Sequence, residues 1–360
     1  MPMMYGTSSP VQSKSRVGMW GAPGSGKTTF LAALGIAAAR DASEHVLLFG
    51  ADDASTDFLT GETERITRRK EFPPATETTR HLSWIMRMGV EVPVRRRFHA
   101  SPAVRPFEFN LDLLDPPGGW YADNPAMAGQ STGSLDAVSA ARNASLGFGD
   151  DEPMRTVTAS GTRVDEEDFI AQLGNCDGLL LFFDPLREAK EGDAFNFFNR
   201  TLMKLAQRSL AGQARADAAL PQYVAVCTTM FDHPEVYERA RDWGYCTPTL
   251  ADRHRFPRVR DDLAERFFVD VVRDAERGNA DLMRNLLHRY FARGRVRFFV
   301  TSAIGFYLDR QLGEFQDRQY SNVEGLDGRR IKGQIYPINV IEPMMWLARC
   351  LARGEANGDR

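Results

Sequence analysis

Residues 21–28 read Gly-Ala-Pro-Gly-Ser-Gly-Lys-Thr, which is the spacing G-x-x-x-x-G-K-[ST]. The apolar run "RVGMW" (16–20) leads into this stretch, and the Ala- and Leu-rich "TTFLAALGIAAAR" (28–40) leaves it with helical character. A loop of that composition between a strand and a helix is built to hold phosphate. Gly21, Gly24 and Gly26 let the backbone curl through Pro23 and Ser25, so that successive N–H groups turn inward at the positive end of a helix. Lys27 then sets a compact positive charge between a β- and a γ-phosphate, and the Thr28 hydroxyl becomes a ligand to Mg²⁺ with Thr29 beside it. Lys27 is accordingly a candidate catalytic group as well as a binding one.

Magnesium chemistry needs an aspartate on a second element, and two positions compete. Asp184 closes "LLLFFDP", the general form of an ATPase second box. Asp115 follows "FEFNLDLL" and opens "DPPGG", where Asp115 and Gly118 complete a D-x-x-G. In such a pair the carboxylate holds Mg²⁺ through water and the glycine N–H senses the γ-phosphate. A threonine that swings toward both must lie between the first helix and Asp115. "FPPATETT" (72–79) offers Thr76 first and Thr78 second, because Pro73 and Pro74 hold the preceding chain extended; a helix cap or turn is the plainer reading of the same residues.

Two further strands run into polar loops, "YVAVCT" into "TMFD" (229–232) and "VRFFVT" into "SAIG" (302–305). With these in place the chain resembles the TRAFAC-class P-loop GTPases, whose order is phosphate loop, switch threonine, D-x-x-G, N/T-K-x-D and S-A. Carried over by position, the resemblance implies that GTP or GDP binds with Mg²⁺, that Thr229 opens the base-reading motif, and that Asp232 accepts from the guanine ring while the Ser302–Ala303 backbone seats its carbonyl. It places Thr76 and Gly118 among the catalytic groups and Thr28, Asp115 and Thr76 around the metal. Two positions depart from the pattern. Met230 stands where the family has a lysine against the base, which weakens guanine preference and leaves ATP open, and Gly119 stands where many relatives carry a water-orienting glutamine, which implies slow hydrolysis. More narrowly, "GADDASTDFL", "FPPATE", "LLLFFDP", "TTMFDHPEV" and "INVIEPMMWLAR" look like the bacterial double-GTPase family of conflict systems. That likeness implies a regulatory switch working beside a partner protein. A nucleotide-binding scaffold without turnover is the alternative, and a P-loop kinase is the poorer third, because D-x-x-G has no job in it.

The elements that must position these residues alternate. Buried strands are predicted at 16–20, 107–114, 178–183, 223–228 and 296–301, with helical patterns after the first, around Phe195–Leu205 and through 264–292. This predicts an α/β fold, a three-layer P-loop sandwich with a mainly parallel central sheet. The alternating strand at 107–114 reads as half exposed and near an edge, and "LSWIMRMGVEVP" (82–93) reads as its antiparallel hairpin arm, with 90–105 as the connection. Asp52 and Asp53 after "HVLLFGA" read as helix caps rather than a metal pair. Residues 121–163 carry Gly, Ala, Ser and Asp without an apolar period and read as a flexible insert in one domain over 15–350, with flexible ends at 1–14 and 351–360.

Of the 360 residues 43% are hydrophobic, and 45 basic against 48 acidic residues leave a net charge of −3. That balance gives no global field to recruit nucleic acid or an acidic membrane. The longest apolar run, "GLLLFF", is far too short to span a bilayer, and "MPMMYGTSSPVQSKS" lacks the apolar core of a secretion signal, so a cytoplasmic protein is predicted. The four cysteines and six histidines fall at no metal-ligand spacing and read as structural.

Overall fold

The structure, a computed structural model, describes residues 15–40, 46–74, 82–95, 100–114, 166–210, 219–249, 252–309, 311–325 and 330–357. Its strands are β1 (Arg16–Gly21), β2 (Val46–Gly50), β3 (Leu82–Arg95), β4 (Ala100–Leu113), β5 (Gly178–Phe183), β6 (Tyr223–Thr228), β7 (Cys246–Pro248), β8 (Pro257–Val259), β9 (Val296–Val300), β10 (Val323–Glu324) and β11 (Arg330–Ile331). The helices are α1 (Lys27–Arg40), α2 (Asp53–Glu64), α3 (Glu166–Gly174), α4 (Pro185–Glu191), α5 (Asp193–Leu210), α6 (Pro234–Asp242), α7 (Asp261–Asp270), α8 (Ala280–Tyr290) and α9 (Ile341–Asn357).

Seven strands form one sheet in the order β2-β3-β4-β1-β5-β6-β9. From β4 to β9 every pairing is parallel, while β2–β3 and β3–β4 are antiparallel. The central strands carry apolar residues at nearly every position because both faces are covered. Leu179, Leu181 and Phe183 of β5 pack with α3, α5, α7 and α8, whereas Leu180 and Phe182 pack with α1 and α9. The same alternation splits Val224 and Val226 from Ala225 and Cys227 on β6. The result is the P-loop three-layer α/β sandwich. Each fully buried Phe or Leu in such layers stabilises the fold by about 1.5–3 kcal/mol.

The hairpin differs from expectation in two ways. It runs unbroken from Leu82↔Leu113 to Arg95↔Ala100, so most of the expected connection at 90–105 is strand. Its second arm is also internal: β4 lies between β3 and β1, and β2 is the edge. Polar side chains of β4 form cross-strand ion pairs, Arg87–Glu108 at 2.6 Å and Arg16–Asp112 at 2.9 Å, so alternation there does not mean an edge. The helical pattern over 264–292 divides into α7 and α8, with Gly278 in the break. At the other end α9 carries its helix to Asn357, past the boundary expected at 350, with Leu351 buried and Glu355 accepting from Ser15 Oγ at 2.8 Å. Asp52 caps α2 as expected, its Oδ1 accepting from Ser55 N at 2.7 Å. The segments 1–14 and 121–163 lie outside the described residues.

A small separate core joins distant parts of the chain. Ala32 and Ile36 of α1, Ile66 after α2, Ile304 after β9, and Ile331 and Ile335 pack together. Asn322 fastens this region: its Nδ2 donates to the carbonyls of Ile304 and Gln334, both at 3.1 Å, and its Oδ1 accepts from Gly333 N at 2.8 Å. Asn322 is fully buried, so Asn322→Ala leaves three backbone groups without that partner and is expected to cost about 3 kcal/mol. Urea denaturation would show the change as a lower midpoint at unchanged slope.

Candidate functional site

β1 is the strand at which the chain changes direction across the sheet, with β4 on one side and β5 on the other. In an open α/β sheet the crevice at the C-terminal ends of such strands is where ligands bind. Gly21 ends β1 in that crevice, and α1 begins at Lys27.

The five residues between them form the turn that the motif predicts. Gly24 and Gly26 hold φ of +76° and +90°, conformations that would strain any side chain, and no atom stands within 4 Å of a Cβ placed on Gly26. Ser25 N donates to Ala22 O at 3.1 Å, closing the turn, and Phe30 N reaches Gly26 O at 2.8 Å as α1 starts. Ser25 Oγ is completely buried and has no hydrogen-bond partner. Lys27 is buried too, and its ammonium donates to Gly21 O at 3.0 Å and Ala22 O at 3.1 Å, so the charge is folded back over the loop. Thr28 and Thr29 are half-buried on the first turn of α1, and Pro23 is half-buried at the tip. The turn, the helix N-terminus and the tethered ammonium together fit a polyphosphate.

Of the two competing aspartates the structure describes Asp184, which follows β5. Asp184 caps α4, its Oδ1 accepting from Leu186 N at 2.9 Å and Arg187 N at 3.1 Å. Burial pushes its carboxyl above the ordinary aspartate value, against those two hydrogen bonds and the charges of Arg187 and His233. Capping therefore accounts for Asp184. Leu114, buried, continues β4 alongside β1 through Leu114 N to Met19 O at 3.2 Å. Asp115 itself, Gly118, Gly119, Thr76 and Thr78 lie outside the described residues.

Further along the same edge, β6 and β9 deliver the second group of candidates. Phe183↔Thr228 and Thr228↔Val300 are in register, so the loops that follow β5, β6 and β9 are neighbours. Thr229 ties them together, its N and Oγ1 both donating to Phe183 O at 2.9 and 3.1 Å. Phe231 N reaches Thr301 O at 3.1 Å. Asp232 is buried, and Ser302 Oγ donates to its Oδ1 across 70 residues of sequence, while Gly305 N donates to Ser302 Oγ at 2.8 Å. Ala303 is half-buried beside them. Desolvation raises the Asp232 carboxyl above its ordinary value, opposed by the Ser302 hydroxyl and, through its charge, His233.

What sequence reasoning did not find is the packing behind this group. Phe231, Tyr237, Phe306, Phe315 and Tyr320 stack edge to face or tilted with ring centroids 4.7–6.3 Å apart, and they fix the loop that carries Asp232. Arg187 is the other omission: its Nη1 donates to Pro23 O at 3.0 Å, directly on the phosphate loop. Met230, where a lysine is usual in the family resembled, takes φ +58° and brings an uncharged side chain. Among the described residues no three His, Cys, Asp or Glu side chains gather to hold a metal ion. Nor, among them, is any helix long and apolar enough to cross a membrane.

No family model and no curated protein matches the chain. Solved structures that it does match include those of sup35 complexed with GMPPNP and with GDP. Identity is 10% and 11% and the TM-scores are 0.27 and 0.26. Each match covers 83% of this chain and 41% of the other, so the chain spans well under half the length of those proteins.

Proposed function

We propose that this chain binds guanine nucleotides, hydrolyses GTP slowly with Mg²⁺, and acts as a conformational switch on a partner protein. The observation that supports this most is that the Gly24–Lys27 cradle and the Asp232–Ser302 pair both lie at the C-terminal ends of parallel strands of one sheet. β1 and β6 are two strands apart, about 10 Å at the ~4.8 Å spacing of neighbouring strands, which suits a nucleotide lying along those ends with its base at Asp232 and its phosphates at Lys27. Lys27 binds and orients the phosphates, and Thr28 together with Asp115 and Thr76 would hold the metal. When bound, Mg²⁺ neutralises charge on the β- and γ-phosphate oxygens. The γ-phosphate orders the chain near Thr76 and Gly118, and its loss releases them. The likeness to the double-GTPase family of conflict systems supports the regulatory reading, with the cytoplasm as its setting.

Titration of labelled GTP, GDP and ATP, with and without Mg²⁺, tests base, phosphate and metal together. GTP and GDP are expected to bind more tightly than ATP, and Mg²⁺ to strengthen GTP binding. Strong ATP preference would overturn the role of Asp232 and leave the phosphate site standing. Gly119 and Met230 favour one second reading, a nucleotide-stabilised scaffold that does not turn over. Phosphate release above background that disappears in Lys27→Ala eliminates it.

A further inference from the structure

Arg187 comes from α4, the short helix in the elbow between β5 and α5. Its Nη1 meets the carbonyl of Pro23 at 3.0 Å, one residue beyond the carbonyl of Ala22 to which Lys27 donates. Two cations thus converge on successive carbonyls of one turn. No other residue of the phosphate loop is as exposed as Gly24, and Arg187 Nη1 lies 3.8 Å from where a Cβ would sit on it.

The guanidinium is held in place. Its Nε donates to Asp193 Oδ1 at 2.9 Å and its Nη2 to Asp193 Oδ2, a two-point grip that fixes the plane of the fork. The elbow is braced in turn by buried Glu188, whose carboxylate accepts from Ala194 N at 3.1 Å, Phe195 N at 3.3 Å and Asn279 N at 3.0 Å. Asp193 engages Nε and Nη2 while Nη1 reaches the loop. A main-chain carbonyl is a weaker acceptor than a phosphate oxygen, so a triphosphate arriving in the cradle competes favourably for Nη1.

We infer that Arg187 is an in-chain arginine for the terminal phosphate, supplying transition-state charge in the absence of a glutamine at Gly119. The inference rests on the nucleotide reading above. In the step it serves, a water oxygen bonds to the γ-phosphorus while the bond from that phosphorus to the β–γ bridging oxygen breaks. The electron pair stays on GDP, and the water's protons pass to the released phosphate and solvent. Arg187 bears on the negative charge that gathers on the γ-oxygens and the bridging oxygen, and forms no covalent bond.

Arg187→Ala and Arg187→Lys, assayed in the full chain, test it. In single-turnover hydrolysis the alanine variant is expected to lose about 1,000-fold or more, the lower end of the range known for arginines acting on a transferring phosphoryl group. GDP affinity is expected to stay within about threefold. Wild type is expected to gain thermal stabilisation from GDP with aluminium fluoride beyond GDP alone, and the alanine variant to lose that gain. Millimolar guanidinium is expected to restore part of its rate. Lysine keeps a positive charge beside Asp193 but lacks the fork, so it should fold and bind GDP yet lose about tenfold or more in rate. Either variant hydrolysing as wild type does, or a wild type that gains nothing from fluoride, overturns this inference alone. So does an alanine variant that loses GDP, GTP and thermal stability in equal measure, because that is the signature of a brace. A wild type that binds no nucleoside triphosphate overturns the nucleotide reading and this inference with it.

Discussion

Lys27→Ala is expected to weaken GTP binding by about 100-fold or more, the loss of two charge-assisted hydrogen bonds at about 1.5–3 kcal/mol each. GDP should lose less, because the ammonium then serves only one of its two phosphates. Phosphate release should fall to background. The melting temperature without nucleotide should move little. In the free protein the ammonium is buried and held by the carbonyls of Gly21 and Ala22, so removing it ends both a desolvation cost and the hydrogen bonds that offset it. Calorimetric titration with GTP and GDP, beside melting curves with and without nucleotide, separates the two effects. A variant that binds GTP as wild type does would remove the phosphate cradle from the argument.

The cradle was legible because its information is local. Eight consecutive residues specify a turn, a helix start and a charge, and the hydrogen bonds that close the turn and start the helix are local. The base-side pair was legible only by position, since Asp232 and Ser302 meet across 70 residues and nothing near either residue states the contact. Arg187 was not legible for the same reason: its target at Pro23 lies 164 residues away, and beside "LLLFFDP" it reads as a surface helix residue.

The antiparallel pairing of the hairpin was legible and its length was not. Pro93, Pro102 and Pro106 all fall within the paired strands, although proline donates no N–H to a ladder. Pairing with β2 stops at Val46↔Met88 and pairing with β1 at Arg16↔Asn110, so beyond those points the hairpin projects as a two-stranded ribbon. No described strand flanks the outer edges there, and a proline costs little where no neighbour needs its donor. A propensity read from sequence cannot know where a neighbouring strand ends.

Asp232→Asn is expected to shift base preference from guanine toward xanthine. Guanine offers N1–H and the exocyclic amine as two donors, and a carboxylate accepts both. An amide accepts one and presents N–H₂ to the other, which suits the keto oxygen that xanthine carries at that position. One mismatched pair at a buried site costs about 1–3 kcal/mol, so GTP affinity should fall by about 10- to 100-fold and xanthosine triphosphate should gain on it. Protonation adds a second signature. Desolvation raises the free Asp232 carboxyl above its usual value, and a guanine donating two N–H groups favours the charged form. Guanine nucleotide affinity should therefore weaken as pH falls through the range just above the ordinary aspartate pKa of about 4, where the free carboxyl takes up a proton that binding must expel. In the free protein the same group is expected to act with the opposite sign: its contribution to stability should decline as pH rises through that range, because the unfolded chain ionises Asp232 more readily than the buried site does. Competition binding of GTP and xanthosine triphosphate to wild type and Asp232→Asn at several pH values reads both effects, and the variant should lose this aspartate's contribution to the pH slope along with the guanine preference. Unchanged preference in Asp232→Asn would show that the base lies elsewhere, with the phosphate cradle left intact.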